Sequence, residues 1–316
     1  MSPFGMFRFV FLDPTTIAHP ESAYTGVLTI DPTIRPCPIA GFWYESAPPA
    51  DKIPELIVIH FHGGAFVTGS ARPSEAGWGG DALSKRLQCP VLMPQYRLSD
   101  TRDRATTFPA ALQDAVTAYS YVLYTLKVKP ENIILSGDSA GGNLVLALLR
   151  HLKDIHERDG AEDENTLGQE LLPFPRTALL WGPWVNLDTP AIELDRHRNA
   201  STDFIFGDFG KWGVRAYLPD RLDSSEYDEE QLYSYISPLG REFRTHVPIF
   251  IQTGTAEVLY DSHCQLARNL EDVGCRVEFV EIPYALHDTF ILAEVTGLEE
   301  EMRCDGPSRR ETDEYK

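Results

Sequence analysis

The stretch SGDSAGGN, residues 136–143, contains Gly137-Asp138-Ser139-Ala140-Gly141 and so fits G-x-S-x-G, the pattern of a sharp strand-to-helix turn that exposes a serine. The pattern alone is weak evidence, and its flanks decide. Before it runs ENIILSG, a short apolar, β-branched run of the buried-strand kind; after it runs NLVLALLRHLKD, whose apolar residues recur at helical spacing. Strand, turn and helix is what an exposed serine needs. The serine sits in strained backbone geometry while Gly137 and Gly141 let strand and helix approach without Cβ clashes. A phosphate-binding loop is the main rival, but no Lys-Ser or Lys-Thr follows the glycines and their spacing fits neither nucleotide fingerprint.

Outward from this turn, apolar runs alternate with helical patterns. ELIVIHFH (55–62), CPVLMPQY (89–96), NIILSG (132–137), TALLWG (177–182), VPIFIQTG (247–254) and RVEFVEIP (276–283) read as strands. Between them lie helical stretches, notably FPAALQDAVTAYSYVLYTLK and LYDSHCQLARNLEDVG. That rhythm predicts a mostly parallel sheet covered by helices on both faces. TGVLTI (25–30) and IAGFWY (39–44) are expected to add two antiparallel strands at the start. From about Asn186 to Gly240 the rhythm breaks. This stretch is rich in Asp, Ser and aromatics (Phe204, Phe206, Phe209, Trp212, Tyr217, Tyr233, Tyr235) and reads as an insertion of short helices, either a cap over a pocket or a peripheral decoration. The expected division is an N-terminal arm (1–24), a core in two parts (25–185 and 241–305), the helical insertion (186–240) and a disordered polar tail (306–316). The charged run around 158–165 reads as a solvated loop.

The 316 residues are 43% hydrophobic, enough for a substantial core, and the net charge is −19. Nucleic acid and anionic membrane surfaces both need basic patches, so neither is an expected partner, and anionic substrates are disfavoured. Five cysteines without a C-x-x-C pair speak against a disulfide framework and a structural zinc site, and fit a reducing, cytoplasmic setting. MFRFVFL near the start is interrupted by Arg8 and is too short to span a bilayer, so it reads as a lid or arm. The sequence carries no mark of oligomeric state.

A serine hydroxyl needs a base to take its proton and a carboxylate to orient that base, in the chain order Ser, Asp or Glu, His on a fold of this kind. Of the histidines after Ser139, His151 and His156 fall on the next helix, His197 in the insertion, His246 before a strand and His263 within a helix. His287 alone sits on a loop after the last strand, in YALHDTF. For the acid, TAEVLYD follows a strand end, and Glu257 is nearer that end than Asp261, while Asp288 adjoins the base. Glu257 is the favoured choice. Oxyanion donors are expected from the amides of Gly63 and Gly64 in HFHGGAF and of Ala140 after the serine. His60 and His62 read as structural rather than metal ligands, because no further ligand follows at metal spacing.

Taken in order, HGGAF, QYRLSD, FPAALQDAV, GDSAGGN, GTAEVLYD and LHDTF resemble the hormone-sensitive-lipase-like group of α/β-hydrolase carboxylesterases, particularly fungal members, over about Gly26 to Leu298. The resemblance implies an eight-stranded hydrolase core with a helical cap, and hydrolysis of a small-molecule carboxylic ester without metal or cofactor. It puts the nucleophile on Ser139, the base on His287 and oxyanion glycines on Gly63 and Gly64. Three departures stand out: Ala65 where a third glycine is common, Glu257 where aspartate is usual, and a short N-terminal part. Cyclisation or acyl transfer at the same site, and a non-catalytic receptor on the same fold, are the alternative functions. The receptor reading would suit a chain lacking the base, whereas here Ser139, Glu257 and His287 are all present.

Overall fold

The computed structural model of the chain describes residues 8–17, 20–44, 48, 52–158, 171–219 and 229–291. Its eight strands are β1 (Arg8–Leu12), β2 (Ile39–Tyr44), β3 (Ile57–Phe61), β4 (Val91–Gln95), β5 (Ile133–Asp138), β6 (Thr177–Trp181), β7 (Ile249–Gly254) and β8 (Val277–Ile282). They form one sheet in the order β1-β2-β4-β3-β5-β6-β7-β8. β1 pairs antiparallel with β2 and β2 with β4, and every other neighbouring pair is parallel. The α-helices among the described residues are α1 (Pro20–Ala23), α2 (Gly77–Leu87), α3 (Ala110–Ser120), α4 (Ala140–Arg158), α5 (Ala191–Arg196), α6 (Gly207–Tyr217), α7 (Glu229–Ile236) and α8 (Tyr260–Asp272).

Successive side chains of a strand point to opposite faces, and here the two faces feed two cores. Ile57, Ile59, Ile133 and Leu135 join α3, α4 and α8 residues such as Ala115, Leu144 and Leu266. Val58, Val91, Met93 and Ile134 instead meet Leu83 of α2 and Phe290. Central strands buried on both faces read as continuous apolar runs, which is why β3 and β5 were legible. No helix among the described residues is long and apolar enough to cross a membrane.

The start of the chain differs from the expectation. TGVLTI is not a strand but a 3-10 turn over Gly26–Thr29. Gly26 sits at φ +61, outside the strand region, and Gln113 Nε2 donates to Leu28 O at 2.9 Å, holding the turn against α3. The first strand lies in the segment read as an arm: Val10 pairs with Gly41 and Leu12 with Ile39, Leu12 is buried, and Phe9 and Phe11 face outward. The tail from 306 and most of the charged 158–165 run fall outside the described residues.

Candidate active site

The carboxyl ends of the parallel strands converge on one place, as they do in open α/β sheets generally. Ser139 follows β5 directly, with φ +50. A non-glycine residue in that region is strained and needs support from its surroundings. Its N–H donates to Trp181 O at 2.9 Å, and its carbonyl accepts from Trp184 N–H at 2.9 Å and Asn143 N–H at 3.2 Å. Asn143 Nδ2 in turn donates to the carbonyls of Trp184 and Ile236. The glycines do the rest, since a Cβ on Gly137 would overlap the Gly141 backbone and one on Gly141 the Phe61 carbonyl.

His287 lies on the loop after β8 and Glu257 on the loop after β7, both buried. His287 Nε2 is 2.9 Å from Ser139 Oγ, and His287 Nδ1 is 2.9 Å from Glu257 Oε2. A carboxylate only accepts, so Nδ1 carries the proton and Nε2 is left to accept from the serine hydroxyl. The other Glu257 oxygen, Oε1, accepts from the Gly254 N–H. Behind it, His263 Nε2 donates to Pro183 O at 2.9 Å and its Nδ1 accepts from the Thr253 hydroxyl at 2.7 Å. Burial lowers the proton affinity of His263, which keeps this supporting ring neutral.

Of the other acids weighed, Asp261 is drawn away to Arg198 at 2.6 and 2.7 Å and to His197. Asp288 Oδ1 lies 3.4 Å from His287 Nε2 and has no hydrogen-bond partner among the described residues. Burial disfavours charge on the His287 ring, but the carboxylates of Asp288, Glu257 and Asp203 more than offset it, and its proton affinity is raised. Burial also pushes the Asp288 carboxyl well above the carboxylate range. The two effects compete: an uncharged Asp288 leaves the imidazole supported by Glu257 and Asp203 alone.

The oxyanion expectation needs one correction. Gly63 N–H is committed, donating to Asp138 Oδ2 at 2.8 Å. Asp138 Oδ1 takes the Nε2–H of His60 at 2.9 Å, and His60 Nδ1 meets the Ser136 hydroxyl at 2.9 Å. His62 bonds Gly63 O through Nδ1 at 2.7 Å and stacks on Tyr96. The amides of Gly64 and Ala140 donate to no acceptor among the described residues, and neither does that of Ala65, which the sequence reading passed over. Ala65 and Phe66 sit at φ +52 and +63, a sharp turn that the bare string HGGAF does not announce.

Next to Ser139 and His287 is an apolar cavity of about 20 Å³, walled by Trp184, Ile205, Phe209 and Leu259. It is a narrow space beside the two side chains. Beyond it, Phe204 stands 5.8 Å from the His287 ring and is 48% exposed, with Phe206 and Trp212 also exposed. A larger cleft of about 460 Å³, lined by Pro54, Glu55, Leu56 and Gln88, opens by the starts of β3 and β4. No serine and histidine meet there, so chemistry rather than size picks the site.

Comparison with known proteins fits this geometry. Residues 58–291, well over half the chain, match a family described as alpha/beta hydrolase fold. The chain belongs to the alpha/beta hydrolase fold family. Among curated members, it is similar to an esterase of Acinetobacter venetianus, 27% identical over 246 residues, which are 78% of this chain and 71% of the relative. It is also similar to an acetyl-hydrolase of Streptomyces hygroscopicus, 28% identical over 236 residues, 73% of this chain and 67% of the relative. Among solved hydrolases, an esterase of the bacterial hormone-sensitive lipase family shares the fold with a TM-score of 0.65 and 24% identity, covering 84% of this chain and 78% of that one. The hydrolase fold implied by the six sequence motifs is thus met again in family and in structure.

Proposed function

We propose that the chain is a serine carboxylesterase acting on neutral, hydrophobic esters of small acyl groups through Ser139, His287 and Glu257. The class, a carboxylic ester hydrolase, follows from the family and from relatives named esterase and acetyl-hydrolase. The residue roles rest chiefly on one observation, the unbroken relay from Glu257 through His287 to Ser139 with 2.9 Å at each link.

In this reading Ser139 Oγ attacks the ester carbonyl while His287 Nε2 takes its proton, and Glu257 holds the tautomer and stabilises the imidazolium. The developing oxyanion meets the amides of Gly64, Ala65 and Ala140, Ala65 standing in for Gly63. His287 then gives its proton to the leaving alcohol, and water, activated by the same ring, releases the acid from the acyl-enzyme. The narrow apolar cavity beside Ser139 favours a small acyl group. Helices α5 and α6 of the insertion serve as the cap, and exposed Phe204 and Phe206 offer an apolar shelf for the alcohol. Carboxylate-bearing esters would meet Asp203 and a net charge of −19.

The test is labelling with a fluorophosphonate beside turnover of p-nitrophenyl esters from acetate to decanoate. Ser139 is expected to be the labelled residue, acetate the best acyl group, and Ser139→Ala to leave only the roughly 10³- to 10⁴-fold over water that binding and an oxyanion hole supply. Labelling of another serine, or an unaffected Ser139→Ala rate, refutes the assignment. Labelling of Ser139 with no ester turned over would refute hydrolysis as the function.

A further inference from the structure

The loops carrying Glu257 and His287 are tied to each other at their bases. Ala256 N–H donates to Ala285 O at 3.0 Å, and Tyr284 N–H to Thr255 Oγ1 at 2.8 Å. Near the reacting side chains the bonds come instead from the insertion. Asn199 Nδ2 donates to the carbonyls of Thr255 at 3.0 Å and Glu257 at 2.7 Å. Thr202 Oγ1 donates to Ala256 O at 3.3 Å. Asp203 Oδ2 accepts the Val258 N–H at 2.7 Å, and its Oδ1 accepts the His287 N–H at 3.4 Å. Each residue from 255 to 258 is therefore bonded by the insertion, and Asp203 bonds the acid loop and the base residue together.

We propose that Asn199 and Asp203 are positioning residues for the reaction, and that the insertion, besides roofing the pocket, sets the distance between Glu257 and His287. The inference rests on the reading of Ser139, His287 and Glu257 as nucleophile, base and acid. Two loops leaving neighbouring strands can each pivot about their bases, and a displacement of about 1 Å in a catalytic array can cost about 10²-fold in rate. Asn199 and Asp203 oppose that pivot from one side, with a side-chain amide that donates twice and a carboxylate that accepts from both loops. A neutral amide at 203 cannot do this, because it offers one oxygen where three N–H groups arrive, Val258 on Oδ2 and His287 and Phe204, the latter at 2.8 Å, on Oδ1.

Asp203 also places a negative charge behind the base. The groups facing His287 are Glu257 on Nδ1, Asp288 beside Nε2, His263 behind Glu257, and Asp203 on its backbone N–H. Removing the Asp203 charge disfavours the imidazolium, so the pH at which the base becomes neutral must fall.

The experiment compares Asp203→Asn with wild type in kcat, KM, the pH profile of kcat/KM and the rate of fluorophosphonate labelling. The expected result is a kcat lower by about 10- to 100-fold with KM within about twofold. The acidic limb of the profile should also move to lower pH by up to about one unit. Asn199→Ala removes no charge, so it should lower kcat with the limb in place, and it serves as the test if Asp203→Asn does not fold. A kcat and limb unchanged in Asp203→Asn overturn the inference, as does a loss confined to KM or to thermal stability. Labelling at Ser139 at an unchanged rate in the variant would overturn this inference while leaving the nucleophile assignment intact. Labelling elsewhere in wild type would remove the reading on which it rests.

Discussion

Asp138 accepts the backbone N–H of Gly63 on one carboxylate oxygen and the imidazole N–H of His60 on the other, at 2.8 and 2.9 Å. The residue before Ser139 thereby holds the loop that presents the Gly64 and Ala65 amides. Asp138→Asn keeps the shape but offers one acceptor to two donors. Leaving a buried donor unpaired costs about 1–3 kcal/mol. Loss of a single oxyanion donor costs about 10²- to 10³-fold in turnover, and a loop displaced rather than deleted should cost the lower part of that range. Thermal melts and kcat on an acetyl ester check both effects, and a variant with wild-type melting and turnover would show the loop to be held by other means.

Gly213 in α6 lies against the same loop from above. A Cβ there would come 2.7 Å from Ala65 O, 2.9 Å from Ala65 Cβ and 3.1 Å from Trp184 Cη2. In an open helix Gly→Ala stabilises by about 1 kcal/mol. Here the methyl must push either α6 or the Ala65 turn aside, so Gly213→Ala is expected to lower turnover by roughly tenfold or more, as a misplaced donor would. Equal activity together with a higher melting temperature would mean that α6 does not bear on the Gly64–Ala65 turn.

The acid assignment is tested by three single replacements. Glu257→Gln retains the shape but loses the charge that holds the His287 tautomer, and on the pattern of serine proteases should cost on the order of 10⁴ in kcat. Glu257→Asp withdraws the carboxylate by one methylene and should cost about 10²-fold. Asp261 is bound up in an exposed pair with Arg198, worth about 0–1 kcal/mol of stability, so Asp261→Asn should leave kcat within about threefold. The reverse ranking, in proteins folded by circular dichroism, would move the acid elsewhere.

His151 makes the fold acid-sensitive. It is buried on α4 with Nε2 on Ala23 O at 2.8 Å, and burial lowers its proton affinity to about 4. In the unfolded chain an ordinary histidine titrates near about 6.5. A group depressed on folding leaves stability whole above the unfolded value and erodes it as pH falls towards the folded one, here from about 6.5 to about 4, by up to about 3 kcal/mol. His62 and His263, also lowered by burial, act in the same sense. His151→Gln can still donate to Ala23 O without titrating, so its melting temperature should fall less steeply between pH 7 and 4 than that of wild type. Parallel slopes would acquit His151.

Much of this architecture could be read along the chain because it follows from short-range regularities. Buried strands such as Ile57–Phe61 and Ile133–Asp138 announce themselves as apolar runs, and α4 and α8 by their helical spacing. Ser139, Glu257 and His287 could each be placed at a strand end from order alone. The N-terminal strand could not, since Arg8–Leu12 is a strand only by virtue of its pairing with Ile39–Tyr44, and TGVLTI became a turn through Gly26 and a bond from Gln113, more than eighty residues away. Gly63 and Gly64 look alike in HGGAF, yet one amide is taken by Asp138, seventy-five residues on. The same holds for Asn199 and Asp203, which look like ordinary polar insertion residues until the fold lays them against the loops of Glu257 and His287. Periodicity records which face a residue turns to the core. Which donor meets which acceptor depends on distances that exist only once the sheet has closed, and it is there that free amides, the size of the cavity and the bracing of His287 were decided.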